Sequence, residues 1–275
     1  MQAPYLRIFN PTLLECFPHI LNNLAMFMPH SRSGFTLLEL AIVLVIIALT
    51  IGAVVAGQAL VRNSELREVL GEYDRNIKAI SEFQQKYSQL PGDYNNATSL
   101  WGAADDCPVG NATDLLQKAT CDGNADYRVG VSDGQGFMEN KDNGEWYRAW
   151  QHLSNAGFIE GLFNGAQGTQ GADHGIVGVN IPASKLTSAG WTLGYLLAST
   201  NASDAELWPD SYGHILILGS TRDSNHPANG AVLSPSEARS LDNKIDDGKP
   251  SRGTMRVRIS ISSDTCVDRD LVPSQ

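Results

Sequence analysis

Residues 32–61 read RSGFTLLELAIVLVIIALTIGAVVAGQALV, and this stretch decides how the rest of the chain is organised. From Leu40 to Ala56 no side chain is charged and only Thr50 is polar. With Phe35 to Leu38 before it and Ala59 to Val61 behind it, the run reaches the roughly 20 residues that a helix needs to cross about 30 Å of hydrocarbon. The sequence therefore predicts a membrane-spanning helix, interrupted once near its start by Glu39. A carboxylate within such a span costs on the order of 2.5–3.5 kcal/mol at the bilayer centre and less near the ends. A group outside the helix is expected to compensate it. If the chain is cut between Gly34 and Phe35, the new amine of Phe35 lies about one helical turn from Glu39 and equally near the Glu39 of a staggered neighbour.

GFTLLELAIVLVIIAL, from Gly34 to Leu49, resembles the processing and methylation motif of type IV pilins and type II secretion pseudopilins. The resemblance rests on the glycine, the phenylalanine after it, the glutamate four residues further on and the apolar run. It implies that a prepilin peptidase cuts after Gly34 and N-methylates Phe35, and that Glu39 guides docking by meeting a neighbour's amino terminus in a filament. It also implies an inner-membrane assembly platform and other pilins, or further copies of this chain, as partners.

Residues 1–34 depart from the short basic leader of that family, since they are long and carry Arg7 and Arg32 against Glu15. Initiation at Met26 or Met28 would leave MFMPHSRSG or MPHSRSG, closer to the family's pattern. Arg32 lies on the short side of the span, and the positive-inside tendency keeps that side cytoplasmic. The domain plan is a leader (1–34), a transmembrane and polymerisation helix (35–61) and a periplasmic or extracellular head (62–275). The final location is then the pilus, or a pseudopilus.

The chain has 20 basic and 30 acidic residues, a net charge of −10. An acidic head argues against a nucleic-acid grip, which needs clustered Lys and Arg for the phosphates. Beyond the span, Leu66, Val69, Leu70, Tyr73, Ile77, Ile80, Phe83 and Tyr87 recur at steps of three and four, the apolar stripe of a helix packed on one side. One helix is expected from Phe35 to about Ser88, ending at LPGD, where Pro91 disfavours helix at the residue before it. Gly52 and Gly57 mark a bend, a close approach of neighbouring spans, or glycines merely tolerated there.

From Asp93 to about Asn143 the chain is rich in Gly, Asn, Asp and Ala without periodicity and reads as a long loop. Cys107 and Cys121 enclose a loop whose closure in an oxidising compartment is worth about 3 kcal/mol in the chain-entropy model. Cys16 leaves with the leader, so Cys266 remains as an alternative partner for either cysteine. DGNADYRVGVSD places Asp122, Asn124 and Asp126 at positions one, three and five of a calcium-loop pattern, with Asp133 at position twelve. Tyr127 stands where the usual glycine belongs, so the two readings are a loose calcium loop and a metal-free cluster of Asx turns. No other cofactor is expected.

EWYRAWQHLSNAGFI, from Glu145 to Ile159, has the spacing of a core helix, and GLFNGAQGTQGADHG reads as a flexible glycine loop. Runs at 175–181, 191–198, 213–219 and 254–261 have the alternation of strands. SPSEARSLDNKIDDGKP reads as a short helix capped by Ser234 or Ser236. By layers, the second half of the long helix lays its stripe on an antiparallel sheet of about four strands. The fold class is α+β and pilin-like.

Catalysis is not expected. The sequence contains no H-E-x-x-H, phosphate loop or C-x-x-C, and His19, His30, His152, His174, His214 and His226 are scattered. The first reading is a structural subunit of a type IV pilus-like filament, with a secretion pseudopilin as the alternative. Head size and the lack of the usual carboxy-terminal pseudopilin calcium signature favour the pilus. The competing class is a membrane-anchored monomeric binding module using Trp101, Trp191 or Trp208 as a contact surface.

Overall fold

The computed structural model describes residues 34–105, 107, 118–130, 144–169, 171, 174–197, 212–222, 226–249 and 253–256. The chain divides into two compact units, Met1–Val55 and Ala56–Gln275. The elements in order are α1 (Leu37–Tyr87), α2 (Ala97–Trp101), α3 (Glu145–Asn155), β1 (Ala189–Leu196), β2 (Gly213–Ser220) and α4 (Pro235–Ile245). Residues 1–33 of the leader, Asp133, Trp208, Cys266 and residues 257–261 lie outside the described residues.

Helix α1 runs the expected length and ends where Ser88 takes a positive φ of 59°. In the second unit its buried face comprises Leu66, Val69, Glu72, Asn76, Ala79 and Phe83. The period is the expected one, but two polar residues sit on the stripe and Ile77 is exposed. Glu72 is buried because it has partners there. Its carboxylate accepts hydrogen bonds from Ser184 Oγ at 2.6 Å, the Lys185 amide at 2.7 Å and Trp191 Nε1 at 3.0 Å. One side chain thus ties α1 to β1 and to the loop entering it, and three donors compensate the desolvation of its charge.

Helix α3 is the centre of the head, with every residue from Glu145 to Leu153 buried. Trp146, Tyr147, Trp150 and Leu153 are fully enclosed in the apolar core, while its polar residues stitch the surrounding loops to it. Gln151 accepts from Thr120 Oγ1 at 2.6 Å and donates to the Ala119 carbonyl at 3.0 Å. His152 Nδ1 accepts the Gly92 amide at 3.0 Å, and its Nε2 lies 3.1 Å from Thr120 Oγ1. Because Nδ1 must accept, Nε2 carries the proton and the ring is neutral. Burial, and then the charge of Arg148, lowers its pKa to about 3.

Strands β1 and β2 pair antiparallel from Ala189 opposite Ser220 to Leu196 opposite Gly213. Two strands, not four, form the sheet among the described residues. The run at 175–181 is a turn: Gly178 at φ +79° reverses it, Asn180 Oδ1 accepts the Ile176 amide, and only a single bridge joins Val177 to Ile181. Residues 254–256 are not strand. Single bridges, Ala183 with Gly190 and Ser220 with Gly230, continue the pairing at the edges. Both α1 and α3 pack on β1: Leu66, Val69 and Phe83 of α1 share one core with Trp191 and Leu193, and Trp191 donates to Glu72. The glycine-rich segment before residue 175 is packed, with Ala166, Asn164 and His174 buried and the Asn180 amide bonded to the Ala166 and His174 carbonyls.

Candidate functional site

The first unit contributes Gly34 to Val55. Phe35 is 81% exposed, and a Cβ placed on Gly34 would meet nothing within 4 Å, so both sides of the Gly34–Phe35 peptide bond are open. The helix behind it is the one described helix long and apolar enough to cross a membrane, and none of its apolar window is buried. A bare hydrocarbon face of this length is stable only in lipid or against other apolar helices. Thr50 satisfies its hydroxyl internally by donating to the Ile47 carbonyl at 2.9 Å.

Glu39 has a local partner that charge reasoning alone missed. Its Oε2 accepts from the Thr36 amide at 2.8 Å and the Thr36 hydroxyl at 3.0 Å, while the Glu39 amide donates to Thr36 Oγ1 at 3.2 Å. This is the reciprocal capping box of a helix start, readable in the sequence as T-L-L-E. Glu39 therefore closes the first turn of the helix and remains exposed at the segment's surface.

In the second unit Arg62 opens the polar half of α1. Its guanidinium contacts Glu237 at 2.6 Å, Glu65 at 3.2 Å and the Val232 carbonyl at 3.0 Å. Glu237 also closes the capping box of α4 with Ser234. The Arg62 hydrogen bond, followed by the Ser234 amide, lowers the Glu237 pKa to about 2.

Cys107 and Cys121 form the expected disulfide. Of the calcium-loop pattern Asp133 lies outside the described residues, and Asp122, Asn124 and Asp126 are each engaged by nearby donors. Asp122 turns away to receive the Thr98 amide at 2.8 Å and the Thr98 hydroxyl at 2.9 Å beside the first turn of α2. Asn124 and Asp126 accept amides two residues on, from Asp126 and Arg128, which is Asx-turn geometry. Instead, carboxylate oxygens of Asp93, Asp126 and Glu145 lie within 4.8 Å of one another. Asp93 accepts the Asp126 and Tyr127 amides, and Glu145 those of Asn124 and Gly130. The loop thus winds around two buried carboxylates that supply acceptors to its backbone. Burial raises the pKa of Asp93 and takes that of Glu145 to about 8. Asp93, Asp126 and Glu145 are the residues on this loop that a hard cation would meet, and neither Asp93 nor Glu145 falls in the sequence pattern.

The model of the prokaryotic N-terminal methylation motif matches residues 29–56. The chain carries the type IV pilin and pseudopilin signature. That signature spans Gly34, Phe35, Glu39 and the exposed apolar helix, and stops before the head. No curated protein and no solved structure matches the chain. Of the tryptophans considered as a contact surface, Trp191 is buried with its indole N–H on Glu72. Trp101 packs against Phe83, Tyr87 and Tyr94.

Proposed function

We propose that this chain is a structural subunit of a type IV pilus-like filament, cut by a prepilin peptidase between Gly34 and Phe35, N-methylated on Phe35 and assembled through its apolar helix. The observation that carries this reading is the match of the methylation motif to residues 29–56, placed on a helix whose apolar side chains are uncovered. Before assembly the helix anchors the subunit in the inner membrane, with the acidic head of residues 62–275 on the periplasmic side. Extraction by the assembly platform exchanges lipid contacts for contacts with neighbouring apolar helices. The order of hydrophobic burial is preserved and the exchange needs little net free energy.

Glu39 acts in docking. The Thr36 capping box holds its carboxylate while the subunit is alone; in the filament the charged N-methylated amine of a neighbouring Phe35 takes part of that role, because an ammonium and a carboxylate strengthen each other where water is excluded. The head has a pilin-like α+β plan and a structural, non-enzymatic role. Immunogold labelling of intact cells tests the assembly. Labelled surface fibres that vanish with the prepilin peptidase support a pilus. Label confined to the envelope, with loss of protein secretion on deletion, assigns the subunit to a secretion pseudopilus.

A further inference from the structure

The carboxy-terminal end of α4 carries a second group of acids. Oxygens of Asp242, Asp246 and Asp247 all lie within 4.8 Å of one another. Asp242 is fully buried, and neither of its carboxylate oxygens has a hydrogen-bond partner. Among the described residues no Lys, Arg or His forms an ion pair with any of the three. The other two are held in place by backbone amides: Thr254 donates to Asp246 and Lys249 donates to Asp247. Gly253 is tight against Asp246, where any Cβ would overlap its carboxylate.

An enclosed carboxylate with no donor is a rare and costly arrangement. Two more acids beside it, and the partial negative charge at the end of a helix, make it worse for an anion and better for a cation. Three oxygens bound to one calcium at about 2.4 Å can be no more than about 4.8 Å apart. The ligand set is oxygen only, without Cys or His, which suits a hard cation rather than zinc or copper. Asp246 and Asp247 are exposed and each has a second oxygen, so bidentate carboxylates and water can complete the coordination number of six to eight typical of calcium.

We propose that Asp242, Asp246 and Asp247 form a calcium site that locks the end of α4 to Gly253 and Thr254. The site is separate from Asp93, Asp126 and Glu145 and does not depend on whether the chain forms a pilus, so its failure would leave the filament reading intact.

The test is calorimetric titration of calcium chloride into the full-length chain in detergent at pH 7.5, after removal of metals with a chelator. The expected result is one calcium per chain with a Kd of about 10⁻⁴–10⁻³ M, the range of extracellular calcium modules. Binding should vanish in Asp242→Asn, weaken about tenfold or more in Asp247→Asn, and stay within about twofold in Asp126→Asn. Asp247 is exposed, so its variant reports on binding even where Asp242→Asn unfolds. Absence of calcium binding by the unaltered chain would overturn the proposal. Binding that survives in both Asp242→Asn and Asp247→Asn, or is lost only in Asp126→Asn, would overturn it equally.

Discussion

Replacing Glu72 by alanine should be among the most damaging single changes in the head. The carboxylate accepts three hydrogen bonds across more than a hundred residues of sequence, from Ser184, Lys185 and Trp191. Truncation removes all three. The Ser184 hydroxyl can turn to another acceptor, but the Lys185 amide and Trp191 Nε1 lose theirs inside the protein, at about 1–3 kcal/mol each. Against this stands relief from holding a charge at 8% exposure, which recovers part of the loss. The net is about 3–4 kcal/mol of lost stability. Glu72→Gln keeps one acceptor oxygen and should cost about half as much, since its amide then faces a donor. Trp191→Phe removes one donor only. Combined with Glu72→Ala it should be less harmful than the sum by about 1 kcal/mol, the coupling of one shared hydrogen bond. Urea unfolding of the head (residues 62–275) at pH 7, followed by tryptophan fluorescence, gives these values directly. A Glu72→Ala head within about 0.5 kcal/mol of the unaltered one would refute the claim that this carboxylate joins α1 to β1.

Other outcomes follow from the same contacts. His152 has its pKa lowered to about 3; below about pH 6.5 the unfolded chain takes up a proton that the fold refuses, so its own contribution to stability should fall by about 1.4 kcal/mol per unit from pH 6 to pH 4, against the opposite slope that the raised Glu145 gives from pH 8 down to about 4.5. In a Glu145→Gln head, where that opposing slope is gone, a flat profile over the window in the urea assay would show that the ring is not held neutral. Glu237→Gln at pH 7 should cost about 1–2 kcal/mol, discounted because the Arg62 and Glu237 side chains are 35% and 22% exposed, and this difference should shrink as pH falls from about 4.5 toward 2. Replacing both Cys107 and Cys121 by serine should cost about 2–4 kcal/mol, read by the same unfolding curves; an unchanged midpoint would mean the bridge is not formed. Glu39→Ala should still be inserted and cleaved, since the cut lies upstream, yet give few filaments by electron microscopy; normal filaments would remove Glu39 from docking.

Much of the helical architecture was legible in the sequence because helices follow local rules. The stripe from Leu66 to Phe83 marked the packed face of α1, the serines before α4 marked its start to within two residues, with Ser234 and not Ser236 as the cap, and two glycine-bounded apolar runs marked β1 and β2. The 175–181 run misled because alternation does not register Gly178 or the Asn180 side chain that bends it into a turn. Glu72 escaped notice because a polar residue on an apolar stripe reads as an interruption until the distant donors that satisfy it are known. The same limit governs the acidic sites. Asp122, Asn124 and Asp126 share a spacing, but Thr98 draws Asp122 away, while Asp93 and Glu145 meet Asp126 only through the fold. The methylation motif was legible because Gly34, Phe35 and Glu39 form one linear pattern, and the Thr36 capping box was present in the same letters.

The central claim is that this amino terminus is processed and used as a pilin's. Its most direct test is intact-mass and amino-terminal peptide analysis of the protein recovered from its native membrane. The account predicts a chain that begins at Phe35 with an N-methyl group on its amine. A chain that retains Gly34 and the residues before it, or that begins elsewhere in the apolar helix, would contradict it.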